Sequence, residues 1–335
     1  MPWLMPAESA PHSRTWMVFP CAGPTLGSSE AERAAGYGAW VSVARVVAEF
    51  EPVTMVVDPS ETARARDMLG SDIELLEAPV DEFWARDVGP TFVVDGPRLG
   101  AVDWVFNGWG ANEWAQWDKS AVLGRLIAEA AGAELISSDL VNEGGGIHVD
   151  GGGTVLLTET VQLGQRRNPA WTPQRVESEL ARTIGATRAI WLPRGLTRDY
   201  DDFGTSGHVD IVACFADAGG VLLHSQENPE HPDYEVSLDL VELLKSVGLD
   251  VIPLPAPATL SDVHGFVDYS YVNHYVVNGG VIACGFGEDA ADARAREILA
   301  AAYPGRDVVT VDAREIFARG GGIHCITQQQ PAVSA

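Results

Sequence analysis

One cysteine near the C-terminal end, Cys325, stands in the stretch Gly320-Gly321-Gly322-Ile323-His324-Cys325-Ile326-Thr327-Gln328-Gln329-Gln330-Pro331. Glycines carry no Cβ, so backbone here can approach another group closely. A thiolate is a strong nucleophile when a neighbouring group activates it. Taken alone, Cys325 reads as a buried structural cysteine on a C-terminal strand, because free Cys is among the most buried residue types. Three further polar stretches bounded by glycine reverse that reading.

These are Trp84-Ala85-Arg86-Asp87-Val88-Gly89-Pro90, Glu143-Gly144-Gly145-Gly146-Ile147-His148-Val149-Asp150-Gly151 and Gly207-His208-Val209-Asp210. In an alternating strand His208 and Asp210 project to one face, and so do His148 and Asp150. A His and an Asp on one face suit a proton shuttle beside an orienting or substrate-binding carboxylate. The glycine-rich stretches do not fit G-x-G-x-x-G, since Val149 and Cys325 occupy the third glycine position. No phosphate loop ends in Gly-Lys, and Gly204-Thr205-Ser206-Gly207 lacks the spacing of a serine nucleophile elbow. A competing chemistry is a metal-dependent hydrolase with Glu143, His148, Asp150, His208, Asp210 and His324 as its shell. That alternative leaves Cys325 without a role, and no H-x-x-x-H or C-x-x-C spacing supports it.

The elements that must hold these stretches alternate between strand and helix. Thr15 to Pro20 reads as a buried strand, residues 30 to 50 as a helix, Val53 to Val57 as a strand, and Asp58 to Leu69 as a second helix. Further strands are expected at Thr91 to Val94, Val155 to Thr158, Ala189 to Leu192, Ile211 to Phe215, Val221 to His224, Tyr271 to Val277, Val281 to Cys284 and Val308 to Val311. Helices are expected at Lys119 to Ala131, Pro173 to Ile184, Tyr234 to Val247 and Asp289 to Ala302. Gly132, Gly185 and Gly248 follow three of them as C-terminal stops. Asp87, His148, His208, Tyr271 and His324 mark tips roughly 60 residues apart. With the strand at Trp16 they suggest five units of similar design, closing radially with their tips near one axis. No linker interrupts the chain, so residues 1–335 read as a single catalytic α/β domain; Pro253-Leu254-Pro255-Ala256-Pro257 reads as a rigid loop inside it. Trp104, Trp109, Trp114 and Trp117 are dense between two units, and Trp109 is the candidate pocket wall.

The chain of 335 residues carries a net charge of −25 and only two lysines, Lys119 and Lys245. Nucleic acid and anionic membranes are excluded as partners, since both need a basic face. The negative field permits a cationic small substrate, though acidity also serves solubility alone. Four cysteines without C-x-x-C pairing imply a reducing compartment and no structural zinc. The opening residues lack the basic and apolar regions of a signal peptide, so a cytoplasmic protein is expected. The sequence leaves a homo-oligomer open.

The four stretches together resemble agmatine deiminases and the related bacterial peptidylarginine deiminases, within the guanidino-group-modifying enzymes. Asp87 in Trp-x-Arg-Asp-x-Gly-Pro, Glu143 in Glu-Gly-Gly-x-Ile-His-Val-Asp-Gly, His208 and Asp210 in Gly-His-Val-Asp, and Cys325 in Gly-Gly-x-Ile-His-Cys-Ile-Thr-Gln-Gln carry the likeness. Phe106-Asn107-Gly108-Trp109-Gly110 and Arg167-Asn168-Pro169 add to it. The resemblance implies a five-bladed α/β propeller (pentein) with pseudo-fivefold repeats and no cofactor. It implies that Cys325 attacks a guanidinium carbon, that Asp87 and Asp210 hold the guanidinium, that His208 moves protons and that Glu143 stabilises the charged His208 ring or binds a further N–H. The expected partner is a cationic guanidino compound, agmatine first, with peptidylarginine or another guanidino compound as the alternative. Gly146 stands where the family has a serine, Gly322 where it has an asparagine, Phe203 and Gly204 where it has acidic residues, and Ile211 where it has an asparagine.

Overall fold

The computed structural model describes residues 2–333. Among these residues the strands form one four-stranded sheet, four three-stranded sheets and one two-stranded hairpin. The five larger sheets share one plan. An antiparallel pair comes first, and a third strand then joins parallel to the second. A parallel join needs a crossover, and in each sheet a helix supplies it. Those helices are Glu30–Ala48, Leu123–Ala130, Pro173–Ile184, Asp233–Ser246 and Asp289–Ala302.

Local chemistry sets their limits. Ser29 and Glu32 form a reciprocal capping box at the start of Glu30–Ala48. Thr172 caps Pro173–Ile184, Pro173 fits its first turn, and Gly185 ends it in the left-handed region at φ 71°. In the four-stranded sheet, Gln328–Pro331 runs antiparallel to His12–Val18, so residues from both ends of the chain share one sheet. Two of its buried glutamines have side-chain partners: Trp16 Nε1 donates to Gln330 Oε1, and Arg86 Nη1 donates to Gln329 Oε1.

Three sequence expectations need correction. His208 and Asp210 do not sit on an alternating strand, because Val209–Ile211 is a 3₁₀ turn and the strand begins at Ala213–Phe215. The run from Tyr271 becomes strand only at Tyr275–Val277; its first residues are drawn into a turn in which Ser270 Oγ receives the Val272 N–H. The proline-rich run is strand over its first three residues, since Val251–Pro255 pairs parallel with Val221–Ser225, and only Ala256 and Pro257 lie in the loop. Proline is tolerated there because this strand lies at the sheet edge, where a proline's missing N–H leaves no ladder bond broken.

The functional stretches share one position in this plan. Asp87, Glu143, His208 with Asp210, and Cys325 each come just before the first strand of a different sheet, at Thr91–Asp95, Ile147–Val149, Ala213–Phe215 and Gln328–Pro331. In the remaining sheet, Asn273 precedes Tyr275–Val277. No helix among the described residues is long and apolar enough to cross a membrane.

Candidate active site

The five tips meet around a buried polar centre. Cys325 is 5 % exposed, and the Asp210 and His208 side chains are almost wholly enclosed. The Arg86 N–H donates to the Cys325 carbonyl, joining the Asp87 tip to the cysteine tip through backbone. The cysteine thiol donates to Asp210 Oδ2 at 3.4 Å, and Asn273 Nδ2 donates to the sulfur at 3.3 Å.

Asp87 accepts from the Gly145 N–H at 3.1 Å and from Trp109 Nε1 at 2.9 Å. Trp109 was the sequence candidate for a pocket wall, and it stacks on Trp114 with centroids 5.3 Å apart. Trp114 in turn meets Phe203 at 4.8 Å. Trp114, Phe203 and Gly320 border a cavity of about 920 Å³, whose rim carries Glu113, Asp201, Asp202 and Asp268 against Arg166 and Arg198. An aromatic wall therefore runs from Asp87 to an acidic cavity. Trp104 packs instead, its Nε1 donating to Thr91 Oγ1.

His208 is fixed at both ends. Its backbone N–H donates to Asp199 Oδ2 and Thr205 Oγ1, and Nε2 lies 3.1 Å from Glu143 Oε2. Glu143 Oε1 accepts from Arg167 Nε at 3.0 Å. His208 Nδ1 and Asp210 Oδ1 are buried with no hydrogen-bond partner among the described residues, Nδ1 lying 3.9 Å from Asp87 Oδ1. Buried polar atoms are rarely left unpaired, so these two ask for a polar ligand. Gly145 lies against this centre: a Cβ there would stand 2.5 Å from His208 Nδ1, 3.0 Å from Asp87 Oδ1 and 3.1 Å from Asp210 Oδ2.

The charges are strongly coupled. Burial, Asp210 and Glu143 push Asp87 up to about 6, against His208 and the Trp109 hydrogen bond. Burial favours the neutral ring of His208, but Asp87, Glu143 and Asp210 together raise it to about 9. Glu143 is held below the usual carboxylate range despite burial, by Arg167 and His208. Burial, then Asp210 and Asp87, push the Cys325 thiol well above its ordinary value. Near neutral pH these shifts pair an imidazolium with a neutral thiol, and the carboxylates oppose the thiolate.

His148 and Asp150 do not join this centre. Asp150 is exposed and accepts the Gly152 and Thr154 N–H groups in a turn. His148 faces Glu8 at 3.7 Å. Among the described residues no three His, Cys, Asp or Glu side chains are arranged to hold a metal ion. The Arg167 guanidinium on Glu143 would also repel a cation there.

Sequence reasoning missed Asn273, Arg167 and Asp199. Arg167 had stood out only as part of a motif, and Asn273 lay inside an apolar run read as strand. The structure also accounts for two unusual glycines. A Cβ on Gly322 would stand 2.4 Å from Asn273 Oδ1, so the Asn273 amide fills that space. A Cβ on Gly146 would meet Val161, Asn142 and Gln162 within 3.3 Å, where Gln162 Nε2 donates to Asn142 Oδ1.

Known proteins share this architecture and sequence. A Streptomyces coelicolor protein provisionally named agmatine deiminase is 55% identical, over 99% of this chain and 99% of its own length. The agmatine deiminase of Stutzerimonas stutzeri is 38% identical, over 98% of this chain and 96% of its own. The solved structure of the Enterococcus faecalis agmatine deiminase superposes with a TM-score of 0.90 at 31% identity, covering 99% of this chain and 96% of that one. The sequence model of the Porphyromonas-type peptidyl-arginine deiminases matches residues 4–331, and the chain belongs to that family.

Proposed function

We propose that this protein is an agmatine deiminase, hydrolysing the guanidinium of agmatine to N-carbamoylputrescine and ammonia in putrescine biosynthesis. The observation that carries the reading is the pair of unpartnered buried atoms, Asp210 Oδ1 and His208 Nδ1, beside Asp87 and the Cys325 sulfur. Asp210 Oδ1 suits an N–H of a planar cation, and the Nδ1–H of the His208 imidazolium suits the nitrogen that gains a lone pair once the adduct forms. Asp87 and Asp210 hold the cation through charge-assisted hydrogen bonds, each worth about 1.5–3 kcal/mol. The guanidinium also brings the positive charge that the buried thiol lacks, so substrate binding favours the thiolate, and the thiol proton is released to solvent because His208 is already protonated.

Cys325 then attacks the guanidinium carbon, giving a neutral tetrahedral adduct. The His208 imidazolium gives its proton to one nitrogen, which leaves as ammonia. A thiouronium cation on Cys325 remains, beside a neutral His208. His208 takes a proton from water as its oxygen adds to the same carbon. Collapse forms the C=O bond, breaks the C–S bond and returns the thiolate. The hydroxyl proton of that intermediate goes to the released ammonia, leaving ammonium. Glu143, anchored by Arg167, steadies the charged ring throughout.

Three exposed rim carboxylates, Glu113, Asp201 and Asp202, with Asp268 pushed up to about 7 by burial, stand against two arginines and favour an amine tail over the carboxylate of free arginine. The five sheets of common plan support a five-bladed α/β propeller with pseudo-fivefold repeats, in which residues 1–335 form one catalytic domain with the tips at its axis. The four cysteines are free and buried, in keeping with a cytoplasmic enzyme. An ammonia-release screen over agmatine, free arginine, guanidinobutyrate and an arginyl peptide tests the reading. Agmatine is expected to give the highest kcat/KM. Preference for the peptide would move the assignment to peptidylarginine, and no release from any of the four would overturn it.

A further inference from the structure

Asp210 is held from behind as well as from the site. His324 Nδ1 lies 2.8 Å from Asp210 Oδ2, and His324 Nε2 lies 2.8 Å and 3.0 Å from the two oxygens of Glu8. Both ring nitrogens face carboxylates, so the imidazolium alone can donate to both at once. Glu8 is only 6 % exposed and also meets Arg86 Nη1 at 3.3 Å and His148 Nε2 at 3.7 Å. It borders a cavity of about 350 Å³ that shares no lining residue with the acidic entrance cavity.

The N-terminal segment delivers this side chain. Leu4 exchanges backbone hydrogen bonds with Val94, the Met5 N–H donates to the Ile184 carbonyl, and the Glu8 carbonyl meets His12 Nε2 at 2.7 Å. The segment is thereby tied to two different sheets on either side of the residue it inserts. Glu8 itself touches neither the cysteine nor the unpartnered oxygen of Asp210.

We propose that Glu8 and His324 are positioning residues for the deimination, acting through Asp210: the ring clamped between two carboxylates fixes Asp210 with Oδ2 toward the cysteine and Oδ1 toward the guanidinium. The inference rests on the reading of Asp210 and Cys325 given above. Without the ring, Asp210 could turn about its χ2 bond and present either oxygen to either partner. The groups facing His324 are Asp210, Glu8, Arg86, His148 and His274. Burial and Arg86 favour the neutral ring, yet Glu8 and Asp210 raise His324 above its ordinary value. Despite burial, His324, Arg86 and His148 hold Glu8 well below the carboxylate range.

Two isosteres separate the ends of the ring. The amide nitrogen of His324→Asn can replace Nδ1 and keep the bond to Asp210. That of His324→Gln replaces Nε2 and keeps only the bond to Glu8. Ammonia release from agmatine is measured for both, with thermal melting of the same samples. His324→Gln is expected to raise KM by roughly ten- to hundredfold, the weight of one hydrogen bond to a charged group. His324→Asn is expected to recover most of that. Glu8→Ala should raise KM in the same direction, and Glu8→Gln, whose amide can meet the ring from either side, should restore it. Equal KM values for the two His324 variants, or a wild-type KM in Glu8→Ala, would overturn the proposal; a purely structural role would lower melting and leave KM of the folded enzyme alone. A wild-type enzyme that releases no ammonia from any guanidino compound would instead overturn the deiminase reading, and this inference with it.

Discussion

The Asn273 side chain touches the Cys325 sulfur and fills the space beside Gly322. Its Nδ2 donates to the sulfur at 3.3 Å, and its Oδ1 accepts the His324 N–H at 3.0 Å. One amide therefore fixes the cysteine turn and is the only uncharged side-chain donor on the sulfur among the described residues. This contact lowers the thiol's proton affinity against burial, Asp210 and Asp87. Asn273→Ala should raise the thiol pKa further, slow alkylation of Cys325 by iodoacetamide, and cut kcat/KM by roughly tenfold. An unaltered alkylation rate would remove Asn273 from thiol activation.

Asp87 and His208 set the pH range of the free enzyme. Asp87 must be ionised to hold the cation, so kcat/KM should rise with pH through about 6. His208 must be protonated to release ammonia while Cys325 must lose its proton, so the alkaline limb of kcat/KM should level off above about 9, where loss of the first offsets gain of the second. Trp109→Phe deletes a hydrogen bond that favours the Asp87 carboxylate. Its removal raises that pKa, and the acid limb should move to higher pH while the alkaline limb stays. A pH profile of the variant that overlays the wild type would contradict this assignment.

Gly145 is needed for space. Its Cβ position lies 2.5 Å from His208 Nδ1 and 3.0 Å from Asp87 Oδ1. Gly145→Ala should displace these groups and lower kcat on the order of hundredfold, the known sensitivity to a displacement of about 1 Å. Circular dichroism should report an intact fold. Wild-type kcat in this variant would mean that His208 and Asp87 do not meet at Gly145 during turnover.

Arg167 compensates the buried charge of Glu143. Arg167→Met should cost up to about 3–5 kcal/mol of stability near neutral pH, because the buried Glu143 carboxylate keeps only the His208 imidazolium of its two ion partners. Glu143 has a lowered pKa in the folded protein, so its contribution is present above the unfolded value and lost as pH falls through the folded one. The deficit of the variant should therefore shrink on acidification. Urea denaturation at neutral and acidic pH checks both statements.

Asp87, Glu143, His208, Asp210 and Cys325 were legible because each lies in a short glycine-bounded motif. The alternation of strand and helix was legible too, since helix caps and apolar runs are local signals. The His208 turn was misread because a His-x-Asp spacing fits an alternating strand and a 3₁₀ turn equally well. Asn273 was hidden by its apolar neighbours, whose periodicity outweighed one amide. Glu8 gave no local sign at all: its partner His324 lies 316 residues away, and only the folded chain brings them together. The burial of Gln329 and Gln330 left no local sign either, because their partners, Arg86 and Trp16, are also remote in sequence.

Cys325 as a covalent nucleophile is the central claim, and intact-protein mass spectrometry after acid quench during agmatine turnover tests it most directly. The account predicts an adduct on Cys325 with the mass of agmatine less ammonia, absent from Cys325→Ala, which should also release no ammonia. An active Cys325→Ala enzyme, with no adduct in the wild type, would contradict it.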